Sequence, residues 1–260
     1  MNNLKDLVQK SDCILLDVEG TTTSFDFVKD ELFPCAEGCL RSYIMHHWKD
    51  SKLQEAVSDV IKQNKEDQKA KLCGYVPLPS VKDENFQEAV ICNLLWQMSS
   101  DRKTTGLKKI QGFIWREEYE KGFLKGHVYE DAVQALNYWK SNQKKIYIYS
   151  SGSIEAQRLL FNHSIWGNLE YLIDGNFDTT IGSKTEHSSY SKICEILYYE
   201  PQNVLFITDR PKEIFAAKKS GMNAILIKRD PNHSLLEEEK DYIGYEDASI
   251  TTFADLMEDN

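Results

Sequence analysis

The 260-residue chain contains no Cys-x-x-Cys pair, no His-Glu-x-x-His pattern and no apolar run long enough to span a bilayer. The first two absences remove the usual zinc-finger and zinc-protease spacings. The third removes a membrane-spanning helix. Positive charge is scarce: 31 Lys and Arg stand against 41 Asp and Glu, a formal net charge of −10. That balance argues against nucleic acid as a partner. There is no internal repeat, no low-complexity run and no long acidic tail. Residues Met1 to Asp12 are polar and lack an apolar signal core, so a soluble cytoplasmic protein is expected, with nuclear residence left open.

Six cysteines, at positions 13, 35, 39, 73, 92 and 194, show no framework spacing and fit a reducing compartment. Cys35 and Cys39 lie four apart in a helical pattern, which suits two half-buried thiols better than zinc. His46 and His47 are neighbours and cannot both face one metal from a regular helix.

What the chain does have is alternation. Strands are expected at 13–16, 145–149, 171–173, 203–207 and 224–227, with helices between the later ones at 131–140, 154–161, 190–198 and 213–219. Strands alternating with helices imply parallel crossover units and a doubly wound α/β sheet. Between about Phe25 and Phe123 the strand signals vanish, and long amphipathic segments run 26–48, 51–71, 84–98 and 107–121. Pro34 interrupts the first. This block reads as an all-α insertion at 25–123, leaving a discontinuous sheet domain of 1–24 and 124–260. Ala254 to Asn260 are expected to fray.

The most informative segment is Ile14-Leu15-Leu16-Asp17-Val18-Glu19-Gly20-Thr21-Thr22-Thr23. A buried parallel strand ends in two acids one residue apart, at the edge where open α/β sheets bind ligands. Two acids there are costly unless a cation or a proton offsets their repulsion. Two other strands also end in polar groups, Ser150-Ser151 and Asp209, and Lys184 follows a loop of turn-forming residues. These groups can converge on one sheet edge and together suit phosphoryl transfer. An aspartate can form an aspartyl-phosphate, a hard divalent cation prefers carboxylates, and lysine and serine donors orient phosphate.

In order, Asp17-x-Glu19-x-Thr21, a serine after a strand, a lysine and Thr208-Asp209 resemble the four motifs of the haloacid dehalogenase superfamily. Glu19 departs from the general pattern, which has Asp there. That departure resembles the enolase-phosphatase (acireductone synthase) family. So do Phe27-Val28-Lys29-Asp30, Leu32-Phe33-Pro34, Lys125-Gly126-His127-Val128-Tyr129, Tyr149-Ser150-Ser151-Gly152-Ser153 and Ile181-Gly182-Ser183-Lys184. The likeness runs from about Ile14 to Phe253.

The resemblance implies a haloacid dehalogenase-like core with an inserted helical cap, magnesium as cofactor, and a monomer. Its substrate would be 2,3-diketo-5-methylthiopentyl-1-phosphate, enolised and dephosphorylated to the acireductone in methionine salvage. It implies Asp17 as nucleophile and metal ligand. Glu19 would be general acid/base with a main-chain metal contact, and Asp209 a further ligand. Ser150 and Ser151 would bind substrate phosphate, and Lys184 would hold phosphate and nucleophile.

Each position also has a plainer reading. Asp209 could cap the helix that follows, Ser150 or Ser151 could do the same for the next one, and Glu213 could simply sit in a first helical turn. The nearest rival activity is another capped phosphatase or a phosphomutase of the superfamily acting on a sugar phosphate. A catalytically silent interaction protein would use the charged helix face at 62–71 instead.

Overall fold

A computed structural model describes residues 2–229 and 248–258. The chain forms two compact units, one of residues 1–28 with 125–260 and one of 29–124.

In the first unit, β1 (Cys13–Leu16) is fully buried and is flanked by β2 (Lys145–Tyr149) and β4 (Val204–Thr208). β3 (Gly175–Phe177), β5 (Asn223–Ile227) and β6 (Ser249–Ile250) complete a six-stranded parallel sheet in the order β3-β2-β1-β4-β5-β6. β1 and β4 are apolar without alternation because both faces are covered, as in a sheet wound with helices on each side. The crossovers run through α6 (Glu130–Ser141), α7 (Ile154–Asn162), α8 (His187–Leu197) and α9 (Pro211–Lys219). One face of the core gathers Leu15, Tyr149, Tyr190, Phe206 and Ile214, with Tyr190 edge-on to Tyr149 at 5.6 Å. Among the described residues no helix is long and apolar enough to cross a membrane.

Two expectations are corrected and one element is added. The triplet 171–173 is not a strand: Glu170–Leu172 is a 3-10 turn and the pairing strand starts at Gly175, opposite Tyr147. A Cβ at Gly175 would lie 3.1 Å from the Tyr147 ring, so the strand crosses there on a residue with no side chain. Within that turn Leu172 is buried and Tyr171 is 67% exposed. Asn2–Lys10 adds a helix, α1, ahead of β1. Leu4, Leu7 and Val8 carry the i, i+3, i+4 signal, and Val8 is buried. Near the other end, Phe253–Leu256 is an ordered 3-10 turn with Phe253 and Leu256 buried, where fraying was expected. Residues 259–260 of that expectation lie outside the described residues.

Asp131, in the first turn of α6, ties this end down. One oxygen, Oδ2, accepts from Arg229 Nη1 (2.6 Å), Thr252 Oγ1 (2.6 Å) and the Phe253 backbone N–H (2.8 Å). Burial pushes the Asp131 carboxyl up, but these donors outweigh it and hold it below the usual range. A depressed folded value means the stabilisation is whole above the unfolded value, about 4, and fades as pH falls through the folded one. The stability gap between wild type and Asp131→Asn should therefore narrow as pH drops from about 5 to about 3. Urea midpoints at stepped pH measure it; a constant gap would remove the ion pair as its cause.

A π-helical turn, Phe27–Leu32, crosses the boundary into the second unit and leads into α2 (Phe33–His47), where Pro34 falls in the first turn and no backbone donor is needed. α3 (Ser51–Ala70), α4 (Phe86–Ser99) and α5 (Thr105–Glu120) pack with α2 around Leu40, Ile44, Val60, Leu94 and Ile110. The connector at 75–79 is held by buried amides: Asn64 and Asn93 both donate to the Val76 carbonyl, at 2.9 and 2.7 Å.

Arg102 grips Asp67 with both terminal nitrogens, the Nη2–Oδ1 distance being 2.6 Å. Arg102→Met would leave the Asp67 carboxylate, 3% exposed, without its cation. The expected loss is about 3 kcal/mol of unfolding free energy. Arg102→Met/Asp67→Asn should recover much of it. Chemical denaturation of both variants decides; a single variant as stable as wild type would contradict the argument.

Candidate active site

β2, β1 and β4 are adjacent and parallel, so their carboxyl ends share one edge. Asp17 follows β1 directly and its backbone N–H donates to the Ile207 carbonyl at 3.0 Å. Ser150 follows β2, and Asp209 follows β4. The sheet thus brings three of the expected polar positions to neighbouring strand ends.

The chain after Asp17 turns tightly. Backbone N–H groups of Thr21, Thr22 and Thr23 all point to the Val18 carbonyl, and Gly20 N donates to Thr23 O at 2.8 Å. Glu19, half-buried, forms an isolated bridge with Thr23. Gly20 has φ +72°, and a Cβ there would lie 2.7 Å from Asp209 Oδ2 and 2.4 Å from the Phe25 ring. Only glycine allows this turn to pass beside the Asp209 carboxylate. The 125–129 segment braces the turn: Thr23 Oγ1 donates to His127 O (2.6 Å), Ser24 N to His127 Nδ1 (3.1 Å), and Tyr129 N to Thr22 O (2.9 Å). Ser24 makes Nδ1 an acceptor, so that nitrogen carries no proton.

Lys184 is buried and lies between two acids, 2.6 Å from Asp17 Oδ1 and 2.8 Å from Glu213 Oε2. Its Nζ sits 5.8 Å above the Tyr149 ring and 5.9 Å from that of Phe206. Tyr190 OH fixes the lysine backbone by donating to Lys184 O at 2.6 Å. Burial disfavours the Lys184 charge, but Asp17 and Glu213 overcome it and hold the amine above its ordinary range. The Thr208 hydroxyl lies 2.7 Å from Glu213 Oε2 and 3.2 Å from Asp17 Oδ2. It has one proton, so it serves Glu213 at the shorter distance.

Asp209, Asp17 and Glu213 are all nearly buried, with exposures of 5%, 4% and 9%. Burial first, then the charges of Asp17 and Glu213, push the Asp209 carboxyl well above its ordinary value. Burial also pushes Glu213 up, to about 7, with Asp17 adding and Lys184 opposing. Three acids around one lysine are short of positive charge. Their oxygens are hard donors, the kind a divalent cation of small radius takes. Asp209 also lines a cavity of about 260 Å³ with Gly20, Ser24, Asp26, Tyr129 and Arg229. Arg229 is fastened there: its Nε donates to Thr21 O at 3.0 Å, and its guanidinium lies 4.3 Å over the Tyr129 ring.

Ser150 is buried and its Oγ accepts from Gly152 N at 3.2 Å; Ser151 is exposed. Neither caps the following helix. Ser153 does, accepting from Ala156 N at 3.2 Å. Asp209 does not cap α9 either, whose N-cap is Arg210 with no side-chain bond. Glu213 does more than occupy a first turn, because the helix start points it inward at Lys184. Its position four residues after Asp209 was the only local signal. Arg229 gave none, since its link to the 17–24 turn is made across the sheet.

A haloacid dehalogenase-like hydrolase family model matches residues 11–221. Enolase-phosphatase E1 of Xenopus tropicalis is 48% identical over 231 residues, covering 87% of this chain and 88% of that protein. The chain belongs to the enolase-phosphatase family of haloacid dehalogenase-like hydrolases. The Anopheles gambiae enolase-phosphatase E1 is 44% identical over 244 residues, 94% of this chain and 81% of that one. Among solved structures, the UTR4 protein of Saccharomyces cerevisiae superposes with a TM-score of 0.72 at 28% identity, over 94% of this chain and 98% of that one. An enolase-phosphatase is a phosphatase, and the family match covers the strand-end acids and the buried lysine described above.

Proposed function

We propose that this chain enolises 2,3-diketo-5-methylthiopentyl-1-phosphate and removes its phosphate, releasing 1,2-dihydroxy-3-keto-5-methylthiopentene. The observation that carries the mechanism is the Lys184 bridge from Asp17 to Glu213. It fixes Asp17 Oδ1 and sets a cation beside the carboxylate that must approach a phosphate dianion. Unit charges about 4 Å apart interact by about 4 kcal/mol at an effective dielectric near 20, so such an offset is needed.

In this reading an Asp17 oxygen attacks phosphorus and the ester P–O bond breaks. The leaving oxygen takes a proton from Glu19. Water, deprotonated by Glu19, then attacks the aspartyl-phosphate, and Asp17 and inorganic phosphate separate. Ser150 and Ser151 with Lys184 hold the phosphate oxygens. Asp17, the Glu19 main chain and Asp209 are the residues that would hold magnesium, which when bound neutralises phosphate charge. The inserted helical unit takes the role of a cap that excludes water. The substrate is a small phosphorylated diketone, handled by a monomer.

The test follows phosphate release and enediol ultraviolet absorbance together, with and without magnesium. Both signals, both stopped by a chelator, support the reading. Phosphate without the enediol signal, or fast turnover of sugar phosphates instead, moves the chain to another branch of the superfamily.

A further inference from the structure

The helical unit carries a second set of metal-ligating groups that phosphate chemistry does not use. Cys35 and Cys39 stand one turn apart on α2, so both thiols share a face. Glu118 reaches the same place from α5. The two sulfurs and a Glu118 oxygen all lie within 4.8 Å of one another, and all three residues are half-buried. The sequence alone offered two thiols; the third donor arrives only through the packing of α5 on α2.

The two helices are fastened on both sides of the cluster. Trp115 Nε1 donates to Leu32 O at 2.8 Å, and the Trp115 ring stands edge-on to Phe33 at 5.8 Å. Two turns beyond the thiols, His47 Nε2 lies 3.0 Å from Glu117 Oε2, and its ring stacks on Tyr43 at 4.4 Å. Donors held on rigid, cross-braced helices are the arrangement a metal site requires. A cavity of about 410 Å³, lined in part by Cys39, His46 and Glu118, opens onto the cluster and gives a cation its way in.

We propose that Cys35, Cys39 and Glu118 bind a thiophilic divalent cation of the zinc class. Two sulfurs and one carboxylate select such an ion over magnesium, which takes oxygen ligands. A tetrahedral zinc with sulfur at about 2.3 Å spaces its donors by roughly 3.5–3.8 Å, within a small rotamer change of the arrangement present. The fourth position opens to the cavity and takes water. A disulfide does not explain the pair. Side chains four apart on a helix have Cβ atoms about 5–6 Å apart, and a disulfide needs about 3.5–4.5 Å.

Binding has a proton cost that can be read. Burial raises the Cys35 thiol to about 12, with Cys39 and Glu118 adding; burial and Glu118 raise Cys39 too. Both thiols are protonated at neutral pH, so each cation bound displaces two protons. The apparent affinity should then rise about 100-fold per pH unit near neutrality. Glu118 must also give up Lys121, now 3.1 Å away, which keeps its second partner Glu117.

The reduced full-length protein is titrated with cadmium in excess magnesium, then with zinc. One equivalent of cadmium should produce a thiolate charge-transfer band that zinc abolishes, with the stated pH dependence. Cys35→Ser and Cys39→Ser should each lose the band, and Glu118→Gln should weaken binding about 10-fold. A Cys73→Ser/Cys92→Ser variant, lacking the two exposed thiols, should keep it. Mass spectrometry of alkylated wild type gives a readout that needs no variant to fold: cadmium should shield positions 35 and 39. A folded protein with no band, a band that follows Cys73 and Cys92, or unshielded Cys35 and Cys39 overturns the proposal.

Discussion

Asp17→Asn should lose turnover by a factor on the order of 10⁴ or more and keep its fold. An amide is a poor nucleophile toward phosphorus, and it forms no aspartyl-phosphate that water can reopen. Asparagine nearly matches the aspartate in shape, and its oxygen can still accept from Lys184, now 2.6 Å away. The substitution also relieves repulsion, because Asp17 is one of the charges raising Asp209 and Glu213. Thermal stability should therefore hold or rise while phosphate release vanishes. That opposition separates a chemical role from a structural one. Retained phosphate release in a folded variant would remove Asp17 as nucleophile.

Lys184→Met should cost on the order of 10³-fold in turnover and, unlike Asp17→Asn, destabilise the protein as well. The methionine fills the space over Tyr149 and Phe206 but leaves Asp17 and Glu213 facing each other without a cation. Glu213, already pushed up to about 7 with the lysine present, should then stay protonated at neutral pH. Lys184→Arg should not restore activity, since a planar fork cannot occupy a slot shaped for one point charge between two acids. Steady-state phosphate release and urea denaturation of both variants test this. Near-normal turnover in Lys184→Met would mean that phosphate charge is offset elsewhere.

Much of the architecture was legible locally. The four-residue run Cys13–Leu16 reads as a buried strand, and helices between short strands imply a parallel sheet. The insertion was legible because strand patterns stop and amphipathic ones begin. What misled was the triplet 171–173, whose apolar composition suited a strand equally well. The pairing strand starts instead at Gly175, where the Tyr147 ring on the neighbouring strand lies so close that a Cβ would crowd it. The Ser150/Ser151 cap failed for a smaller reason: the chain needs two more residues to turn before Ser153 reaches the helix start.

The sequence by itself determined most of the core strands and helices and the polar residues that end β1, β2 and β4, because side-chain periodicity and turn chemistry act over a few residues. It also carried, through its ordered motifs, the family. The tertiary structure decided which acid partners Lys184, that Arg229 braces the turn after β1, and that Glu118 meets Cys35 and Cys39. Those contacts join residues far apart in the chain. They depend on strand order and helix packing, and no local pattern encodes either.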